Sequence, residues 1–361
     1  MWYWIAEPFL YSCLAIVAGY VLLGVVPDRD RPVDRLPVRL IAGAALGIGF
    51  FGLFPVLRIV GFFAEDLGYW STFREVITGF TEGKAYLITV VLSLALTVLI
   101  LRNERKPGPG LRQFILLLVF LLITVQGWSS HVASLYGTWG ILAQTLHLIG
   151  IALWAGPLLL AGWSGAMGTD RWLRFVQWYH PLAAACMAII FASGFVLMFG
   201  VAPEYVNAWQ IPYGQALLIK HVLILPLAFM AIVNGFWVKR RLQTDAAFRP
   251  RIWARVEGIV VLLIFTVTGF MNQQAAPHDV SDTLQSTPAS SLYLWFSGGS
   301  MDREAQLSVS PGLLSIIVWA AAALLLWTAV LSVKRKQAVS ALLWSLLAAA
   351  LLYYGFMLSV A

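Results

Sequence analysis

The sequence predicts an all-α fold, a polytopic membrane helix bundle of about ten transmembrane helices with both termini outside. Three observations carry this. Hydrophobic residues make up 60% of the 361 positions and charged residues only 11%. The apolar residues gather into ten runs, each of roughly 17–25 residues, long enough to cross a hydrocarbon core about 30 Å thick. Lys and Arg concentrate in alternate connections, which sets the orientation.

The first run, near 4–26, has no basic leader or small-residue cleavage site and is expected to remain as a spanning helix. A connection with Arg29, Arg31, Arg35 and Arg39 leads to the second run, 38–62. Residues 63–83 mix Glu65, Asp66, Trp70, Phe73, Glu75 and Phe80, the pattern of a short helix lying in the interface. The third and fourth runs, 84–102 and 112–128, flank a Pro-Gly-Pro-Gly turn with Arg102, Arg105, Lys106 and Arg112. Helices five and six, 140–165 and 176–201, are joined by a connection with Arg171 and Arg174. Helices seven and eight, 215–238 and 253–274, are separated by Lys239, Arg240, Arg241, Arg249 and Arg251, with Arg255 just beyond. The longest loop, 275–311, is rich in Ser, Gly, Asp and Pro and precedes runs at 312–333 and 338–360, between which lie Lys334, Arg335 and Lys336.

The odd-numbered connections hold 19 of the 24 basic residues and are therefore expected on the cytoplasmic side. The net charge of +7 is a topology signal and points to a lipid bilayer as the partner, with no nucleic acid. Cys13 and Cys186 both fall inside apolar runs, which excludes a disulfide framework and a CxxC metal clip.

An ionisable side chain at membrane depth is costly and marks a candidate site. The five histidines avoid helices one to four, nine and ten, so helices five to eight form the chemical core. His147 and His221 each lie roughly 10 Å below the outer surface, given a rise of about 1.5 Å per residue. His131 caps the outer end of helix four, and His278 follows the outer end of helix eight. Gln144 shares the face of His147, one turn above it. Met198 and Met271 close helices six and eight on the same side. This donor set, His131, His147, His221, His278 and Met271, suits a metal ion or haem. Interfacial hydrogen bonding for the histidines and gap filling for the methionines are the alternative roles. Trp2, Trp4, Trp128, Trp139 and Trp209 fit an interfacial aromatic belt. On the inner side, His180 and Glu257 each lie about one turn from the cytoplasm, as an exit station or a structural pair anchored to Arg174 and Arg255. Lys220, beside His221, either snorkels to the interface or stands as a fixed cation.

The motifs of helices five to eight resemble the copper resistance protein D (CopD) family. They run from Ser-Ser-His131-Val-Ala through Leu146-His147 to Trp154-Ala-Gly156. Arg174-Phe175, Ser193-Gly194, Tyr213-Gly214 followed by Lys220, and Arg255-Val-Glu257 before Ala276-Pro277 complete the match over 126–280. The chain departs from the pattern in Ser-Ser before His131 and Ala after Trp154. The resemblance implies a multi-pass protein of the cytoplasmic (inner) membrane that handles copper in uptake or tolerance and is not an enzyme. It also implies an extracytoplasmic copper-carrier protein, which would come from elsewhere, since no soluble copper-binding domain is appended. A second chemistry stays open, because two histidines at equal depth on neighbouring helices also grip haem b in redox proteins. A sensor or assembly subunit is a third possibility. With no Walker motif and no phosphorylation signature of an ion-pumping ATPase, transport is expected to be passive, ion-coupled or partner-driven. The chain thus divides into 1–125, the first four helices; 126–280, the CopD-like core with the end of helix four; and 281–361, the outer loop with the last two helices.

Cysteine-accessibility labelling tests the orientation. A cysteine at 290 is expected to react from outside, and one at 245 only after permeabilisation; the reverse pattern would invert every depth assigned above.

Overall fold

The computed structural model describes residues 2–33, 36–164, 168–299 and 306–360. Arg35 and Arg303, two of the basic residues used for orientation, lie outside them. Among the described residues, ten helices are long and apolar enough to cross a membrane: α1 Tyr3–Val25, α2 Val38–Asp66, α3 Thr81–Arg105, α4 Pro109–Trp128, α5 Thr138–Trp163, α6 Thr169–Val201, α7 Pro212–Thr244, α8 Arg251–Asn272, α9 Leu313–Lys334 and α10 Ala338–Met357. Among the described residues there is no strand, only an isolated bridge between Val309 and Val360. A bilayer leaves no water to satisfy backbone groups, so helices that bond internally are the expected solution.

Each run becomes a helix, and the differences have local causes. The second run extends past 62, because Val38–Phe51 continues through Gly52 into Leu53–Leu67. The expected interfacial helix is Tyr69–Gly79, which buries Thr72 and Val76 and exposes Tyr69 and Trp70. His131 does not cap α4. It opens a short helix, His131–Tyr136, whose N-cap is Ser130, accepting from the Ala133 amide. The long outer loop is folded around short helices Val280–Ser286 and Ser291–Phe296. It is tied down where the Ser290 amide donates to the Gln210 carbonyl at 2.8 Å and the Leu307 amide to Asn207 Oδ1 at 2.6 Å. Ser290 is consequently buried, and exposed Gln285 is the better labelling position on this loop.

The chain forms two compact units. One comprises Met1–Leu197 with Leu242–Arg251, the other Met198–Arg241 with Ile252–Ala361. Their boundary falls inside α6, and so within the 126–280 stretch delimited from the sequence.

In the first unit α1 packs on α2 and α5, α2 on α3, and α4 on α3 and α5. Val17, Ile41, Ile48, Leu96, Ile100, Ile115 and Leu122 form its apolar centre. The tightest crossing joins α1 to α5. A Cβ at Gly156 would lie 2.2 Å from the Ala15 carbonyl oxygen, and one at Gly19 would lie 2.5 Å from the Gly156 carbonyl carbon. Lipid tails are as apolar as leucine, so helices in a bilayer associate largely by such close packing of small residues.

In the second unit α7 packs on α10, and α9 pairs with α10. Buried Gln215 on α7 makes the polar link: its Nε2 donates to the Trp209 carbonyl at 2.6 Å and to Met357 Sδ at 3.4 Å, and its Oε1 accepts from Tyr353 at 2.6 Å. Trp209 is only 2% exposed and packs edge-on against Phe356. It is a core residue and not part of an interfacial belt, because the folded outer loop and α10 cover it. Trp2 and Trp139, both 76% exposed, do fit the belt.

Gly156→Ala should lower the thermal midpoint in detergent, with a cost of about 1–3 kcal/mol, typical of an overpacked contact. Gly43→Ala, where a Cβ meets nothing within 4 Å, should leave the midpoint unchanged or slightly raised. Equal behaviour of the two variants would remove the α1–α5 contact as a determinant of stability.

Candidate metal centre

His147 lies within the span of α5, half-buried. Its Nδ1 lies 3.2 Å from the Ile190 carbonyl and 3.1 Å from Ser193 Oγ, both on α6. A carbonyl only accepts, so Nδ1 must carry the ring proton. Ser193 directs its own hydrogen to the Ile189 carbonyl at 2.6 Å and can therefore accept from the same N–H. In the neutral ring this leaves the lone pair on Nε2, the arrangement in which metal-ligating histidines are held, with the far nitrogen donating to a carbonyl. Gly150, one turn along α5, permits the approach: a Cβ there would meet Ile190 Cγ1 at 2.8 Å and the Cys186 carbonyl at 3.2 Å. Below it, Pro157 interrupts the α5 hydrogen-bond ladder. Nearby, the carbonyl of buried Trp154 accepts from Tyr179 on α6 at 2.7 Å.

Of the other groups in the first unit, His131 is exposed, and Gln144 and His180 are half-buried. Arg174 bonds to the Arg29 carbonyl through Nε at 2.9 Å and approaches Asp30 at 3.4 Å, so the inner anchor expected of it involves the first connection. Glu7, unremarked in the sequence, is 5% exposed and accepts from Tyr11 at 2.9 Å.

In the second unit His221 lies on α7, with Nδ1 2.7 Å from the Tyr205 hydroxyl and the two rings 5.4 Å apart. Tyr205 belongs to the connection between α6 and α7. Burial pushes its phenol up to about 12. The hydroxyl therefore keeps its hydrogen at any physiological pH. It either donates to Nδ1 or, when Nδ1 is protonated, accepts from it and leaves the lone pair on Nε2. Met271 is 6% exposed and packs with Ala202, Ala216 and Leu217, beside Tyr205 and Tyr213. Lys220 and Met198 are half-buried, and His278 is exposed.

Glu257 on α8 is 2% exposed. Asn234 Nδ2 donates to its Oε2 at 2.6 Å and to the Trp253 carbonyl at 3.1 Å. Asn234 lies in a π-helical turn, Val233–Val238, a distortion found frequently at functional sites.

Among the described residues, no three His, Cys, Asp or Glu side chains gather as a group able to hold a metal ion. His131, His147 and His180 belong to the first unit, and His221, His278, Met271 and Glu257 to the second. The partners that matter most were missed from sequence. Tyr205 sits in an ordinary-looking connection, and its only signal is an aromatic hydroxyl just after Pro203-Glu204. Asn234 is the lone amide in an otherwise apolar stretch and was detectable on that ground.

Comparison with known proteins follows the same region. The family model described as copper resistance protein D, CopD, matches residues 173–271. This bears out the CopD resemblance read from the motifs and takes in His180, His221, Glu257 and Met271. His131, His147 and His278 lie outside it. The copper transport protein CutJ of Bacillus subtilis (strain 168) is 24% identical over 301 residues, which is 78% of this chain and 54% of the relative. The chain thus spans about half the length of that curated relative. No solved structure matches.

The imidazole tautomer can be read by nitrogen NMR on histidine-labelled protein. Ser193→Ala should keep His147 protonated on Nδ1, because the Ile190 carbonyl remains. Gly150→Leu should displace α6 and lose that preference. A ring protonated on Nε2 in the unmodified protein would contradict the assignment.

Proposed function

We propose that this chain, with its CopD segment across α6–α8, captures copper on the outer side of the membrane and passes it inward, serving copper import and homeostasis as a transporter and not as an enzyme. The observation that carries the reading is the His147 ring, whose Nδ1–H is held by the Ile190 carbonyl and whose Nε2 keeps the lone pair. Imidazole binds copper in both oxidation states, and thioether favours Cu(I). His221 contributes a second imidazole contact within its own unit, oriented by Tyr205, with Met271 as a thioether in the same unit. His131 and His278, both exposed, serve as entry contacts. Gln144, Lys220 and Trp154 shape the surroundings of the two imidazoles. Glu257, oriented by Asn234, and His180 act on the inner half as release groups of their respective units. The copper arrives from a separate extracytoplasmic carrier, and the protein resides in the cytoplasmic membrane.

Copper titration of the purified protein tests this. His147→Ala and His221→Ala should each lose far more affinity than Gln144→Ala, a neighbouring-group change expected to cost about 10–100-fold at most. Metal needs the neutral ring, so affinity should weaken as falling pH protonates the imidazoles. In proteoliposomes, Glu257→Gln should slow copper entry while outer binding persists. Unchanged affinity in both histidine variants would sink the copper reading. The same Nε2 lone pair suits haem iron, so a Soret band in the purified protein would favour haem instead.

A further inference from the structure

We infer that the basic end of the first unit holds a binding site for a phosphate ester, and that its occupant is the headgroup of an anionic phospholipid bearing a hydroxyl, of the phosphatidylglycerol type. A cavity of about 70 Å³ opens there among the ends of α1, α3 and α4, lined by Tyr20, Gly24, Arg31, Asn103 and Arg112. The space exceeds what a single water needs.

Two guanidinium groups converge on this point. Arg31 donates through Nε to the Val26 carbonyl at 2.8 Å and through an Nη to the Gly24 carbonyl at 3.2 Å, and it pairs with exposed Asp28. Arg112 donates to the same Gly24 carbonyl at 3.3 Å. These bonds hold both groups in place at the end of α1. They engage one N–H of Arg112 out of the five that a guanidinium offers. Two cations sharing one carbonyl repel each other, and a bound anion would relieve that repulsion. Planar guanidinium forks match phosphate oxygens.

Asn103 supplies the second requirement. Its Nδ2 donates to the Tyr20 hydroxyl at 2.9 Å, whereas its Oδ1 is buried with no hydrogen-bond partner among the described residues. A buried acceptor left unpaired is costly. A ligand that presents an O–H beside its phosphate would satisfy the oxygen and both cations together. The surroundings favour a lipid over a soluble phosphate: Val25, next to Gly24 at the end of α1, and Leu101, two residues before Asn103 on α3, are apolar and exposed, 61% and 38%. This inference concerns a different end of the helices from His147 and does not depend on the copper reading.

Native mass spectrometry and thermal melts of the purified full chain would test it, with phosphatidylglycerol, phosphatidylcholine and inorganic phosphate added separately. Phosphatidylglycerol should bind and raise the melting temperature, whereas phosphatidylcholine, which has the phosphodiester but no hydroxyl or N–H donor, should not. Arg112→Gln should weaken phosphatidylglycerol binding roughly tenfold, as loss of a charge-assisted hydrogen bond implies, and Asn103→Leu should remove the preference over phosphatidylcholine. Arg112→Lys keeps the charge and guards against a folding defect; it should bind with intermediate strength. Stabilisation by inorganic phosphate equal to that by phosphatidylglycerol would overturn the lipid assignment in favour of a soluble phosphate. Equal response to both lipids, or an unchanged response in Arg112→Gln and Asn103→Leu, would overturn the site.

Discussion

The contact between the backbones of Gly19 and Gly156 is the constraint on which the first unit depends. With a Cβ on either residue the two helices would stand apart, since the added carbon would fall within 2.8 Å of three backbone atoms of the partner. In a bilayer, apolar side chains gain little by leaving lipid for one another, so the shape of the closest approach weighs more than it would in water. Gly150 in turn lets α6 approach α5, though less tightly, and that approach brings the Ile190 carbonyl within reach of His147. The chemistry of one imidazole thus traces back to three positions that carry no side chain.

A second regularity runs through both units. Most hydroxyls inside the spans bond back to a carbonyl of their own helix, but four larger polar side chains reach backbone carbonyls of neighbouring helices or connections. His147 meets Ile190, Tyr179 meets Trp154, Asn234 meets Trp253, and Gln215 meets Trp209. A polar group in hydrocarbon must find a partner, and a carbonyl accepts a second hydrogen bond without leaving its helix. Such bonds orient a functional side chain without adding another ionisable group at membrane depth. Where an ionisable group does enter, as at Glu257, an amide stands beside it in a local π-helical widening of α7.

The relation between sequence and structure differs by kind of feature. Ten spans were legible because each needs only length and apolarity, properties of a continuous run. The short helix at Tyr69–Gly79 was legible for a similar reason, as its buried and exposed residues follow helical spacing. His147 and His221 stood out because histidine is rare in such runs. Trp209 misled: its composition matched an interfacial belt, but Tyr293, Phe296, Leu307 and residues of α10 pack with it in one apolar cluster. His131 was expected at the outer end of helix four, but that helix closes on Ser129, and His131 instead opens the next short helix, where the Ser130 hydroxyl at the N-cap accepts an amide hydrogen.

The sequence by itself determined the number of spans, the pattern of basic connections and the identity of the imidazole, thioether and carboxyl groups available for chemistry, because these are properties of composition along one strand of chain. Only the tertiary structure decided which nitrogen of His147 bears the proton, that Tyr205 faces His221, that Asn234 faces Glu257, and that Arg31, Arg112 and Asn103 share one cavity. Each of those depends on residues distant in the chain meeting within about 3 Å or around one small space, and such meetings are set by helix packing, which no local run of residues encodes.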